Sequence, residues 1–507
     1  MDTVSYLLGK NASGGGSSLQ NKSVEINTNT TTIITPDTGY DGLSRVNVTT
    51  NVPSEDVVEK DVNLYDYDGT LLFSYTKDEF LALEEYPTPP AKELLTFQNW
   101  NWTLADAKVY VGKYGGQCIG ATYTTKDGET KIHIDIDGFK NEGLGNQINF
   151  YITPTGSAGS ASGKLTINWG DGTSSETSTE YSSSTINKRH TYSQKGKYII
   201  STKFEPLTGN AKLVLASGGS SAPLLTNSER TIKEINIGNE TMIKSTNQFY
   251  NYYALEKVSL PNGVFSTTAS DLSNVFYNCH LLKGIILPSG TVGFNGNVFF
   301  DCNNLKIVSI PKSLTTFGPS TGTSSQSTFQ YSSALKYIYL PETYTGPLSQ
   351  LQNSRPSSLE VICAPTTATD FVHNNGTITS GPFNLKKIIY PTGITTLPLT
   401  PGCLIQHLDI PSNITAIQSL SSWNSLRSVK MSKNISSITS SPFSSAKIRY
   451  LIFTDNTSIP TLSGNWTGTN PSNIIFIVPD DLYDDWIVAE NWASLSDRII
   501  RESDFNN

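Results

Sequence analysis

From about residue 225 onward the chain repeats one short pattern of apolar and polar positions. The segments "ALEKVSLP", "LLKGIILP", "NLKIVSIP", "ALKYIYLP", "SLEVICAP", "NLKKIIYP" and "LIQHLDIP" end at Pro261, Pro288, Pro311, Pro341, Pro365, Pro391 and Pro411, spacings of 20 to 30 residues. Degenerate units follow at "SLRSVKMS" and "KIRYLIFT", and "TIKEINIG" reads as the first. The first, fourth and sixth places of a unit are apolar, as in Leu255, Val258, Leu260 and in Leu335, Ile338, Leu340. One strand per unit with those three places inward predicts a solenoid, because no unit can cover its own apolar face without a neighbour. At ~1.5–3 kcal/mol per buried large side chain, three per unit make a substantial core.

Upstream the period changes. Residues 1–55 hold a Gly/Ser stretch, "GKNASGGGSS", and two short alternating runs around the turn signal Pro36-Asp37-Thr38-Gly39. Residues 56–145 read as a small α/β module. Thr76 with Glu79 forms a capping box that opens one helix, and Thr103 opens a second that stops at Gly115-Gly116. "NLYDYDGTLLFSY" reads as a hairpin with Asp68-Gly69 as its turn, Val62 opposite Tyr75, Leu64 opposite Phe73 and Tyr65 opposite Leu72. "GATYTTKDGETKIHIDID" predicts another hairpin around Asp127-Gly128. Residues 146–222 alternate as an all-β domain. The solenoid occupies 223–478, and 479–507 ends in an amphipathic helix with Leu482, Trp486, Ala489 and Ala493 on one face, a cap for the open end. The expected fold class is multidomain and mainly β.

Composition narrows the function. Over 507 residues only 16% are charged, and a net charge of −8 with a pI near 5.3 argues against a nucleic-acid partner, which would need a basic protein face. No run approaches the ~18 apolar residues of a membrane-spanning helix, and the opening "MDTVSYLLGK" has no signal-peptide pattern. Cys118, Cys279, Cys302, Cys363 and Cys403 are scattered with no C-x-x-C pair, and read as buried free thiols. No nucleophile-elbow, zinc-protease or phosphate-loop motif occurs, so no catalytic, cofactor-binding or metal-ligating residue is assigned.

Three motifs carry resemblances. Asp66-Tyr67-Asp68-Gly69-Thr70 resembles the opening of haloacid-dehalogenase-type phosphatases, which implies a nucleophilic Asp66 and an acid-base Asp68. The candidate later acid pair, Asp480-Asp481, lies about 400 residues downstream, and the alternation around the motif fits a hairpin better than a buried parallel strand. Trp169, Gly170, Asp171 and Gly172, with His190, Thr191, Tyr192, Gly196 and Tyr198, resemble the signature of polycystic-kidney-disease-type β-sandwiches. That implies an Asp capping a turn and aromatics filling a sandwich. The L-K-x-I-x-I-P units resemble BspA-like leucine-rich repeats of bacterial surface proteins, which implies adhesion to host matrix or carbohydrate. The runs within residues 23–115 also resemble N-terminal parts of bacteriophage tail or baseplate proteins. Together these imply a virion appendage, assembled in the host cytoplasm and oligomeric on the particle. Residues 1–55 would attach to other virion proteins, and the solenoid would contact a host glycan or protein. A bacterial surface adhesin is the alternative.

A candidate binding face follows from the second place of the units: Glu256, Lys283, Lys306, Lys336, Glu360, Lys386, Gln406, Arg427 and Arg449. Beside this mostly basic row, Tyr337, Tyr339 and Tyr450 are expected to be exposed and Tyr390 to be buried. The proposed face is Lys336, Tyr337, Tyr339, Lys386, Arg427, Arg449 and Tyr450.

Overall fold

The computed structural model describes residues 31–36, 46–51, 59–136, 146–155, 162–182, 186–207, 212–216, 231–244, 247–266, 272–318, 328–346, 358–366, 385–394, 397, 404–417, 420, 425–438, 443, 447–463 and 473–505. Two compact units divide the chain at residue 58. In the first, β1 (Thr31–Pro36) and β2 (Val46–Asn51) pair antiparallel, from Thr31 opposite Asn51 to Pro36 opposite Val46. The turn expected at 37–39 lies outside the described residues.

The second unit opens with a four-stranded sheet. β3 (Val62–Tyr65) and β4 (Leu71–Tyr75) keep the expected pairs Val62–Tyr75 and Leu64–Phe73. Tyr65, however, faces Leu71 rather than Leu72. The turn closes with the Asp66 N–H on the Thr70 carbonyl (2.8 Å) and the Gly69 N–H on the Asp66 carbonyl (3.0 Å). Gly69 at φ +84° supplies the left-handed residue, so the loop is longer than two residues and carries a bulge. Thr76 caps α1 (Lys77–Leu81) in the expected capping box. β5 is Leu95–Trp100, and α2 (Leu104–Tyr114) starts at Thr103 and ends at a left-handed Gly115.

β6 (Gln117–Thr125) corrects the second hairpin. The Asp127-Gly128 turn forms, but β7 (Thr130–Ile136) does not return along β6. β6 is flanked by β3 in parallel over Gln117–Gly120 and by β5 antiparallel over Ala121–Thr125, and all its residues are buried. β7 leaves this sheet and enters another.

That sheet is half of a sandwich formed with β8 (Gln147–Thr155), β9 (Ser162–Asn168), β10 (Glu176–Ser182), β11 (Ile186–Thr191), β12 (Gly196–Pro206) and β13 (Lys212–Ala216). One sheet runs β10-β9-β12-β7 and continues into the first solenoid strands, Ile232–Asn236 and Lys257–Ser259; the other holds β11-β8-β13. The sandwich is thus continuous with the solenoid rather than a separate spacer.

At its signature turn, Asp171 accepts from the Thr173 N–H (3.1 Å) and hydroxyl (2.6 Å), and its other oxygen meets His190 Nε2 at 2.7 Å. His190 stacks on Trp169 at 4.7 Å, and the Tyr192 hydroxyl donates to the Trp169 carbonyl at 2.9 Å. Asp171 thus fixes the turn, and the rings pack on one another beside it. Desolvation pushes the Asp171 carboxyl up, but the hydrogen bonds from Thr173 and His190 outweigh it and hold it at about 2. An acid stronger in the folded chain than its unfolded value of ~3.9 stabilises fully above that value and loses the contribution as pH falls toward 2. Asp171→Asn is expected to cost about 2 kcal/mol near neutral pH. In melting curves against pH, the gap to wild type should narrow between pH 4 and 2; a gap constant to pH 2 would contradict this.

The solenoid places one short parallel strand per unit: Gly284–Ile286, Ile307–Ser309, Tyr337–Tyr339, Val361–Cys363, Lys387–Ile389, His407–Asp409, Ser428–Lys430, Tyr450–Ile452 and Ile475–Val478. The recurring prolines start the turns after the strands: the carbonyls of Pro261, Pro288, Pro311, Pro341 and Pro411 each accept an N–H from three residues on. Inward places are buried, and rings stack through the core as Phe249, Phe276, Phe299 and Phe329, 5.4–5.7 Å apart. Cys279 and Cys302 lie in the same interior, their thiols donating to the carbonyls of Phe249 and Phe276. Cys118 and Cys363 are also free and buried; Cys403 lies outside the described residues.

The C-terminal cap differs from the expected helix. Short turns at Asp480–Leu482, Tyr483–Trp486 and Ala493–Arg498 replace it, interrupted by Asn491 at φ +66°. Trp486, Trp492 and Leu495 seal the core while Ala493 faces out, and Ile499–Arg501 adds a further parallel strand beside Ile475–Val478. The large indoles, rather than a helical stripe of small residues, decide which side turns inward.

Candidate functional site

The basic row exists as read. The N–H groups of Glu256, Lys283, Lys306, Lys336, Glu360 and Lys386 each bond the carbonyl at the same place of the preceding unit, at 2.8–3.4 Å, and Arg427 and Arg449 continue it at 2.7 Å. What covers the strands beside the row was not foreseen. The N-terminal module lies across the strands from Ile232–Asn236 to Lys387–Ile389 and covers them.

The contact is close enough to need glycine on both sides. A Cβ on Gly284 would fall 2.4 Å from Gly69 Cα, and one on Gly120 would fall 2.4 Å from the Ile286 side chain. Around these points the module satisfies backbone groups of the solenoid. Asn101 Nδ2 donates to the Leu287 carbonyl and Ser309 Oγ, both at 2.9 Å; Trp102 Nε1 donates to the Ile310 carbonyl at 2.7 Å; and the Tyr110 hydroxyl donates to the Leu340 carbonyl at 2.7 Å. Ion pairs ring the contact: Asp68–Lys257, Asp106–Lys312, Glu342–Lys113 and Glu59–Lys336.

Three of the seven candidate residues are therefore occupied. Tyr337 and Tyr339 are 8% and 6% exposed, a correction to their expected exposure, because Glu59, Gly116 and the sheet above them cover their rings. Glu59 Oε2 takes both Lys336 Nζ and the Tyr337 hydroxyl at 2.7 Å, and Oε1 takes the Tyr65 hydroxyl at 3.3 Å. Burial raises the Glu59 carboxyl, but these bonds outweigh it and the net shift is downward. Tyr390 is buried, as expected.

The other four lie beyond or at the margin of the module. Lys386 pairs with Glu360 at 2.8 Å. Arg427 and Arg449 are exposed and have no ion pair among the described residues. The Arg449 guanidinium lies 5.4 Å over the Tyr450 ring, whose other neighbour is Phe505 at 5.3 Å. Among the described residues, the open part of the face is thus the C-terminal strands, His407–Asp409 onward.

Glu59, Asp68, Asn101, Trp102 and Tyr110 are the residues sequence reasoning missed. The signal was present in the outward places of the units. Ile286, Ile307, Tyr337, Tyr339 and Cys363 are apolar or aromatic where a solvated strand alternates, whereas Asp409 and Lys430 are polar. A glycine inside a strand, Gly284, likewise marks close approach of another backbone.

The phosphatase-like motif is absorbed by the same contact. Asp66 pairs with Lys92 and is buried, and Asp68 pairs with Lys257 at 3.1 Å. Asp480 and Asp481 are exposed in the C-terminal turns. Among the described residues no three His, Cys, Asp or Glu side chains converge as a metal site would require, and no helix is long and apolar enough to cross a membrane.

The BspA type leucine-rich repeat region family matches the chain in six copies, over residues 226–336 and 380–463. Among solved structures, a leucine-rich repeat protein from Bacteroides ovatus ATCC 8483 is 13% identical, covering 52% of this chain and 76% of its own, with a TM-score of 0.23. No curated protein matches the chain.

Proposed function

We propose that this chain, whose BspA-type leucine-rich repeats fold as a β-solenoid, is a bacterial surface protein that binds an external ligand without catalysis. Stacked repeats of this kind provide extended binding surfaces. The observation that carries the reading is the division of the strand face: one part is filled by the chain's own module, and the part left open presents unpaired Arg427 and Arg449.

The virion reading rests on the runs within residues 23–115 alone, and the comparisons lend it no support. The polycystic-kidney-disease-type reading of the sandwich is supported by the Trp169–Asp171–His190 geometry, while the repeat-family match lies outside β8–β13. Protease shaving of intact producing cells, followed by mass spectrometry of the released peptides and of any purified particles, tests the proposal. Solenoid peptides should be released from the cell surface. Recovery of the chain only in phage particles or only in the cytosol would overturn the surface reading.

A further inference from the structure

One member of the basic row, Lys336, already binds a group of this chain. Lys336 and Tyr337 are the second and third residues of their unit, Leu335-Lys336-Tyr337, and Tyr337 begins its strand. Lys336 Nζ lies 6.0 Å over the Tyr337 ring, and both side chains converge at 2.7 Å on one oxygen of Glu59. The occupant is a carboxylate delivered by a chain segment that runs directly into β3.

Arg449 and Tyr450 repeat this arrangement. They are the second and third residues of Ile448-Arg449-Tyr450, Tyr450 begins its strand, and the cation again lies over the following ring, at 5.4 Å. Here no carboxylate is supplied. Arg449 has no ion pair and the Tyr450 hydroxyl no hydrogen bond among the described residues. The nearby acids are engaged or turned elsewhere: Asp455 pairs with Lys430, Asp484 with Arg501, and Glu502 and Asp504 form no pair with Arg449. Arg427 adds a second unpaired cation one strand away, a step of ~4.8 Å.

We propose that Arg449 and Tyr450 bind a carboxylate side chain of an acidic polypeptide segment of a partner protein, as Lys336 and Tyr337 bind Glu59, with Arg427 reinforcing the anion. A guanidinium grips a carboxylate with two parallel hydrogen bonds, which a lysine cannot do. A peptide fits better than a sugar. The Tyr450 ring is already engaged by Arg449 and Phe505, so the pair offers donors rather than an open face for stacking. The inference rests on the open strands being the ligand-bearing surface.

The test is fluorescence anisotropy of labelled hexaglutamate with the full chain at low salt, with oligogalacturonate as a parallel probe. Arg449→Gln should weaken hexaglutamate binding about tenfold or more, and Tyr450→Phe roughly three- to tenfold, the loss of one charge-assisted bond. Lys433→Gln, an exposed and unpaired lysine on the same chain, should change it less than about twofold. Absence of hexaglutamate binding, or equal losses for Arg449→Gln and Lys433→Gln, would overturn the proposal. Arg449-dependent binding of oligogalacturonate alone would also overturn it, in favour of an acidic sugar. Each of these outcomes leaves the shaving experiment, and so the surface reading, to stand or fall separately.

Discussion

Gly284→Val is expected to lift the N-terminal module off the solenoid while leaving the repeats folded. The new side chain would meet Gly69 backbone at 2.4 Å (Cα) and 2.7 Å (N), and backbone cannot swing aside as a side chain can. Overpacking of a close contact costs ~1–3 kcal/mol when neighbours can adjust; here the adjustment available is separation of the two surfaces. Separation would strand the hydrogen bonds of Asn101, Trp102 and Tyr110 with solenoid carbonyls, which makes the loss cooperative. Cys363 is the reporter. Its thiol is buried beneath Tyr110, 3.2 Å from the hydroxyl, and burial pushes it up to about 12, outweighing the lowering by that hydroxyl. In the variant, Cys363 should react with a thiol reagent at least tenfold faster, as read by peptide mass spectrometry, with Cys279 and Cys302 unchanged. Unaltered Cys363 reactivity would show that the contact tolerates the side chain.

Phe299→Ala should produce the largest loss within the repeats, about 3–5 kcal/mol. The ring sits between Phe276 and Phe329 at 5.7 and 5.6 Å, nearly parallel to both, and edge-on to Phe294 and Phe317. Its removal leaves a cavity that the two flanking rings, each held by its own unit, cannot fill. Within the repeats each unit touches only its neighbours, so beyond the units bridged by the module the damage should stay local. Hydrogen exchange should accelerate at residues 272–318 and 328–346 and remain slow at residues 425–438 and 447–463. Uniform acceleration along the chain would mean that the array unfolds as one cooperative block.

Period and punctuation made much of this fold legible. The triplets Leu255, Val258, Leu260 and their counterparts are the inward places, Thr76 and Thr103 cap the helices, and Gly115 ends the second. What failed did so where one element depended on another far away in sequence. Asp127-Gly128 forms its turn, yet β5 pairs with the Ala121–Thr125 half of β6 and β7 pairs in another sheet, which no local pattern states. Tyr337 and Tyr339 look like an exposed aromatic pair until residues some 280 positions earlier cover them. The row from Glu256 to Arg449 was readable as a row; which of its members were already occupied was not. The terminal stripe of Leu482, Trp486, Ala489 and Ala493 followed a helical period that the bulk of Trp492 and the turn at Asn491 override.

The clamp between module and solenoid also bears on how such a chain can change in length. Inserting one unit moves every later strand by ~4.8 Å, more than a hydrogen bond can stretch. Between Glu234, which receives the Tyr67 hydroxyl, and Lys387, which donates to the Tyr114 carbonyl, an insertion or deletion would break the match with a rigid sheet. Past residue 404, among the described residues, no such contact with the module constrains the count. Duplication or loss of repeats should therefore be tolerated only toward the C-terminal end, so the part of the molecule free to lengthen is also the part that carries the unpaired arginines.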